Sequence, residues 1–218
     1  MNIQTNNVTL FYEKQGAGAP LLLLHGNGED HTIFGPLAKA LAAHFTVYAI
    51  DSRNHGQSSR ADDYSYAAMA ADIDGLIAAL DLGTVNLIGF SDGAIIGLML
   101  AMHNPAVLRK MALLGINLSP EDFTEDSLQF IRDTYDETGD PLYKLMLEEP
   151  NIPIDDVHAV QTPTLLFAAE DDIFKPESFQ TLAAAMPNAA LTIVKEHDHG
   201  SYIVGNDMLA PDLLKFFG

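Results

Sequence analysis

A chain of 218 residues, 48% of them hydrophobic, is long enough to bury one sizeable core and too short for two full domains. The absence of cysteine excludes disulfides, a thiol nucleophile and thiolate metal sites. Eleven basic residues against thirty acidic ones give a formal charge of −19, a surface that repels phosphate backbones and anionic lipid, so neither nucleic acid nor a membrane is an expected partner.

Residues 1–15 are polar and alternating, without the apolar stretch of a secretion signal, and no apolar run nears the roughly 20 residues of a membrane span. The expected location is therefore the cytoplasm. Asn6-Asn7 is a turn signal and predicts an edge hairpin over residues 2–13. The run Leu21 to Leu24 predicts a strand buried on both faces. Phe34, Leu37 and Leu41 recur at helical spacing, and residues 45–50 are strand-like again. Tyr66, Met69, Ile73, Ile77 and Leu80 predict a helix with Ser65 as N-cap and Gly83 as its stop. A buried strand follows over 85–88. The next helix, near 93–102, is apolar on nearly every face and ends at Asn104-Pro105. Further strands are predicted over 110–116, 164–168 and 190–194, with a last helix from about residue 211. This alternation predicts an α/β domain with a mostly parallel sheet and helices on both faces.

Residues 116–157 break the rhythm. They hold two apolar stripes, Leu128, Ile131 and Tyr135, then Leu142, Leu145 and Met146, and carry twelve acidic side chains against two basic ones. Excursions this long inside a compact sheet are usually functional.

The segment Val85 to Ala94 reads as strand, then Gly89-Phe90-Ser91-Asp92-Gly93, then helix, which is the context a nucleophile elbow requires. A serine on so sharp a turn takes strained backbone angles. The residues two before and two after it approach too closely to carry a Cβ, which is why both are glycine. The turn lifts the Ser91 hydroxyl clear of the sheet and aims the first backbone N–H groups of the helix at a reacting carbonyl.

With these residues the chain resembles the α/β-hydrolase family over nearly its whole length. His25-Gly26-Asn27-Gly28 follows the first buried strand as that family's oxyanion loop does. Asp51-Ser52-Arg53-Asn54-His55-Gly56-Gln57-Ser58 is similar to its D-x-R-G-H-G-x-S segment, with Asn54 where glycine is usual. The acid directly after the serine is most similar to the small esterase and aminoacyl-ester hydrolase branches. The resemblance implies one α/β-hydrolase domain over residues 1–218, a mostly parallel sheet of about eight strands flanked by helices, with 116–157 as a short acidic helical lid.

The family's chain order implies an acid after a late strand and a histidine after the last one. In Ala169-Glu170-Asp171-Asp172, Asp172 falls on the acid; Asp171 is the runner-up, and Glu170 stands behind it. In Lys195-Glu196-His197-Asp198-His199-Gly200, His199 fits best and His197 competes with it. These two histidines have no third ligand at recognisable spacing, so no metal is expected, and no cofactor. His25 is expected to shape the oxyanion loop rather than titrate.

The implied activity is that of a serine hydrolase acting on small carboxylic esters. Ser91 attacks the carbonyl to form an acyl-enzyme, His199 carries the proton, and Asp172 orients the imidazole; the backbone N–H groups of Asn27 and Asp92 hold the oxyanion. Substrate contacts are expected from Gly26, Gly28 and Phe90 around the serine, and from Leu128, Ile131 and Tyr135 in the lid, with Phe130, Leu142 and Met146 as further apolar candidates. The lid's charge disfavours anions, as does Asp92 if its side chain faces the pocket, so the expected substrate is a small neutral or cationic acyl ester. The same scaffold also supports cofactor-independent lyases, perhydrolases and non-catalytic ligand-binding proteins. A histidine base has to be neutral, so ester turnover is expected to fall below a pH of roughly 6 to 7, and a rate flat from about pH 5 to 9 would contradict it.

Overall fold

The chain opens with the hairpin that its paired asparagines predict. β1 (Asn2–Thr5) and β2 (Val8–Gly16) pair antiparallel, and Asn6 and Asn7 between them take positive φ, a region asparagine enters more readily than most side chains. A computed structural model describes residues 1–218. The elements that follow are β3 (Ala19–Leu24), α1 (Gly35–Leu41), β4 (Phe45–Ile50), α2 (Tyr66–Ala79), β5 (Val85–Phe90), α3 (Asp92–His103) and β6 (Leu108–Leu114). Then come α4 (Glu125–Thr138), α5 (Pro141–Glu148), α6 (Ile154–Val157), β7 (Thr164–Asp171), α7 (Pro176–Ala185), β8 (Ala189–Asp198) and α8 (Ala210–Phe217).

The strands form one eight-stranded sheet in the order β1-β2-β4-β3-β5-β6-β7-β8. Only β2 runs against its neighbours; β4, β3, β5, β6, β7 and β8 are parallel in turn. A parallel sheet needs both faces covered. Here α1 and α8 cover one face through Leu37, Leu41, Leu213 and Phe217, and α2, α3 and α7 cover the other through Ile73, Leu76, Ile96 and Leu182. The all-round apolar surface of α3 is accounted for by its burial between α2 and the sheet. No helix is long and apolar enough to cross a membrane.

Two local readings change. Ser65 caps α2 by accepting the Ala68 N–H, but the helix ends at Ala79, and Gly83 (φ +65°) turns the chain into β5 instead of closing the helix. The sequence reading places no helix between β7 and β8, yet α7 lies there. Its signal is Pro176 in the first turn and Phe179, Leu182 and Met186 at helical spacing, diluted by the alanines between them.

The 51–58 segment is a buried bracket. Asp51 is fully buried, Arg53 grips Asp72 of α2 with Nε at 2.6 Å and Nη2 at 2.8 Å, and Ser58 Oγ donates to the Asp51 carbonyl. Asn54 has φ +68°, which explains why glycine suits that position.

Between β6 and β7 the chain leaves the sheet. α4 is anchored by Ile131 in a small cluster with Phe123, Phe174 and Phe179, apart from the two main cores. The last part of this excursion returns to the main core, where Val157 and Val160 are buried.

Parallel strands bring their C-terminal ends to one edge of the sheet, where ligands of open α/β sheets bind. The first residues past those ends are His25 after β3, Ser91 after β5, Gly115 after β6, Asp172 after β7 and His199 after β8. The tightest packing there is at the elbow. A Cβ on Gly89 would fall on the Gly93 carbonyl, and one on Gly93 would fall on the Leu24 carbonyl of β3. Gly93→Ala is expected to lower stability by about 3 kcal/mol in urea unfolding, because the added methyl meets backbone that cannot yield. An unchanged unfolding midpoint would contradict this packing.

Candidate active site

Ser91 sits on the turn between β5 and α3 with φ +51° and ψ −115°, a strained combination for a residue with a side chain. Its hydroxyl donates toward His199 Nε2 at 3.2 Å, and His199 Nδ1 donates to Asp172 Oδ1 at 2.7 Å. The imidazole is held between the rings of Phe90 (centroids 5.0 Å apart) and Phe174 (5.3 Å). The Asp172 side chain is 2% exposed, and its carboxylate also accepts the backbone N–H groups of Ala169 and Phe174.

The alternatives left open by sequence separate here. β7 is irregular between Ala169 and Asp171, and this re-aims the chain so that Asp172 faces His199. Asp171 stays paired with Asp198 in the sheet and is exposed, and Glu170 accepts the Glu196 N–H. His197 lies within β8, with Nδ1 3.0 Å from Ser201 Oγ.

The loop after β3 is fixed from several sides. His25 Nδ1 donates to the Gly26 carbonyl at 2.8 Å, and its Nε2 accepts the Ser52 N–H at 3.0 Å, which sets the tautomer. Burial pushes the His25 pKa down to about 4, so the ring is neutral. Because the peptide is planar and trans, holding the Gly26 carbonyl on one side directs the Asn27 N–H to the other. Glu29 Oε2 accepts the Gly26 N–H at 2.9 Å. A Cβ on Gly26 would lie 2.7 Å from Glu29 Oε2 and 3.1 Å from Ser91 Cβ, so only glycine lets this loop pass so close to the serine. Asp92 opens α3, and a helix has no internal acceptor for its first N–H groups. Its carboxylate is buried and turned to Tyr66 Oη (2.7 Å) and Asn27 Nδ2 (3.0 Å). Burial pushes its pKa up to about 6, against the opposing effect of those two hydrogen bonds.

A cavity of about 480 Å³ opens at Ser91 and His199. Gly26, Asn27 and Phe90 line it near the serine, and Ile131, with Phe130 and Met146 from the wider apolar set, lines it from α4 and α5. Three expected contacts do not, nor does Leu142 of the wider set. Gly28 faces open space, Leu128 packs instead onto the cluster around Phe123 and Phe174, and Tyr135, one helical turn past Ile131, does not reach the cavity. Asp92 does not face it either, because its oxygens are taken. The carboxylates that do line it are Glu29 and Asp126, with no lysine or arginine beside them. Burial also raises the Glu29 pKa. Sequence reasoning missed Glu29, Tyr143 and Ile173; only the position of Glu29, two residues past Asn27, offered a signal.

Residues 19–144 match the family model described as the α/β hydrolase fold. The chain belongs to the α/β-hydrolase family. Among curated relatives, the human serine hydrolase BPHL is 38% identical over 141 residues, covering 60% of this chain and 47% of that protein. The (E)-2-((N-methylformamido)methylene)succinate hydrolase of Acinetobacter baylyi is 34% identical over 120 residues, covering 51% of this chain and 43% of the relative. These matches span less than half the length of either relative. Among solved structures, the meta-cleavage product hydrolase CumD of Pseudomonas fluorescens IP01 shares the fold with a TM-score of 0.83 at 19% identity, covering 100% of this chain and 97% of that one.

One other cluster in this α/β hydrolase has the makings of a cation site: ligand atoms of Asp30, His31 and Asp51 lie within 4.8 Å of one another. Asp51 Oδ1 already takes both His31 N–H and Nδ1, and Oδ2 takes the Gln57 N–H, so these atoms serve the bracket around residues 51–58.

Gly115 (φ +59°) backs His199: a Cβ there would lie 2.6 Å from ring Cε1 and 2.9 Å from Nδ1. Gly115→Ala is therefore expected to displace the imidazole and slow fluorophosphonate labelling of Ser91 by about a hundredfold, followed by mass spectrometry. Labelling at the wild-type rate would mean that the ring is not held where the structure puts it.

Proposed function

We propose that this α/β hydrolase is a serine hydrolase of small neutral or cationic carboxylic esters, acting through an acyl-enzyme. The observation that carries the reading is the continuous line of hydrogen bonds from Ser91 Oγ through His199 to buried Asp172 at the floor of a cavity. In this reading His199 Nε2 takes the Ser91 proton as Oγ attacks the ester carbonyl, then delivers it to the departing alkoxide. Asp172 keeps Nδ1 protonated, leaving Nε2 as the base, and stabilises the imidazolium. The tetrahedral oxyanion is taken by the backbone N–H groups of Asn27 and Asp92; such donors are each worth about 3 kcal/mol of barrier. Water then repeats the sequence on the serine ester.

The 116–157 segment acts as the lid, with Ile131, Phe130, Tyr143 and Met146 giving an apolar wall for the acyl or alcohol group. The cavity volume suits a small ester. Glu29 and Asp126 at the cavity, together with the acidic lid, repel substrates that carry a carboxylate and accept those that carry an amine.

A panel of p-nitrophenyl esters of rising acyl length tests this. Wild type is expected to turn over short neutral esters and to disfavour succinyl-type anionic ones. Ser91→Ala should lose activity by about a millionfold, to near background, while its circular dichroism stays native. Undiminished turnover in that variant, or fluorophosphonate attachment elsewhere than Ser91, would overturn the assignment.

A further inference from the structure

Asp92 is a charge buried beside the nucleophile that the reaction steps do not use: the backbone N–H acts, and the side chain has no assigned part. It is 5% exposed and does not line the cavity. Its two oxygens point to different elements. Oδ1 accepts the hydroxyl of Tyr66 in the first turn of α2, itself 1% exposed, and Oδ2 accepts the side-chain amide of Asn27. The same Asn27 nitrogen donates to the Leu142 carbonyl in the first turn of α5. Asn27 thus has its side chain held at one end of the residue, while at the other His25 holds the carbonyl of the Gly26–Asn27 peptide and Glu29 the N–H of Gly26 before it. Its backbone N–H lies between these two anchors.

We propose that Asp92 is a positioning residue whose carboxylate, braced by Tyr66, fixes the Asn27 backbone N–H in the oxyanion site by gripping the Asn27 side chain. The inference rests on the hydrolase reading above, in which that N–H meets the oxyanion. The physical reason is that an oxyanion donor helps only if it is already aimed at the position that the charged oxygen occupies in the transition state. A loop free to turn would lose that aim without losing substrate. A buried carboxylate is an expensive way to hold an asparagine, and it succeeds because both of its oxygens are taken by donors. The same two bonds turn the Asp92 carboxylate away from the cavity, where the carboxylates that line the wall are Glu29 and Asp126.

The experiment is a double-mutant cycle of Asp92→Ala and Asn27→Ala, assayed with a neutral acetate ester and with an amine-bearing ester. Each single variant is expected to lose about tenfold to a hundredfold in kcat on both substrates, with KM held within about twofold. The double variant should be no worse than the weaker single, since both remove one grip. Asp92→Asn, which keeps one acceptor, should recover part of the loss. If Asp92→Ala does not fold, Tyr66→Phe takes its place in the cycle, because it frees the bracing oxygen and keeps the ring. Multiplying losses in the double variant, an unchanged kcat, or a KM rise confined to the amine-bearing ester would each overturn the proposal; the last would put Asp92 on the substrate. A wild type without ester turnover refutes the hydrolase reading and this inference with it. An active wild type matched by the variants refutes the inference alone.

Discussion

The close approach of α3 to the central strands governs the geometry of this protein. The first turn of the helix lies so near β3 that Gly93 touches the Leu24 carbonyl, and Gly89 in β5 touches Gly93 in turn. A chain that must reverse from strand to helix in that space has only one residue for the turn, and Ser91 takes it with φ +51°. The strain is held by burial on all sides of α3 and by the Ser91 N–H, which donates to the Leu114 carbonyl at 2.8 Å. What results is a hydroxyl raised above the edge of the sheet at the start of a helix.

Around that hydroxyl and the neighbouring strand ends the molecule buries four carboxylates, and each is given partners. Asp172 has His199 and two backbone N–H groups; Asp92 has Tyr66 and Asn27; Asp51 has His31 and Gln57; Asp72 has the fork of Arg53. An unpartnered carboxylate at any of these places would cost several kcal/mol or take up a proton. Partnered, each one fixes a loop that follows a strand end. The candidate site is rigid on the sheet side for this reason.

The other wall has a different character. α4 is joined to the sheet by a small separate cluster, α5 by that cluster and by Leu145 in the main core, and their exposed surface is strongly acidic. Phe130 stands 64% exposed at the cavity, a large apolar ring that the fold does not need for packing. The sheet side supplies the groups suited to proton transfer, and the excursion supplies shape and charge.

The sequence by itself determined the alternating α/β pattern, the strands at Leu21 to Leu24 and Phe45 to Ile50, and the elbow around Ser91, because these rest on local rules. Period, turn chemistry and the steric need for glycine act between residues near in the chain. Tertiary structure alone decided what depends on approach from afar. The family pattern favoured Asp172 over Asp171 in the sequence, but what brings Asp172 to His199 is the irregularity of β7 where it meets β8. Leu128 and Tyr135 share a helical stripe with Ile131, yet only Ile131 lines the cavity, because a stripe tells which side of a helix is apolar and not how far along it the cavity extends. The direction of the Asp92 carboxylate was set by Tyr66, twenty-six residues away in the chain, and by Asn27, sixty-five away. Hydrogen bonds over such separations exist only once the sheet has brought its strand ends together.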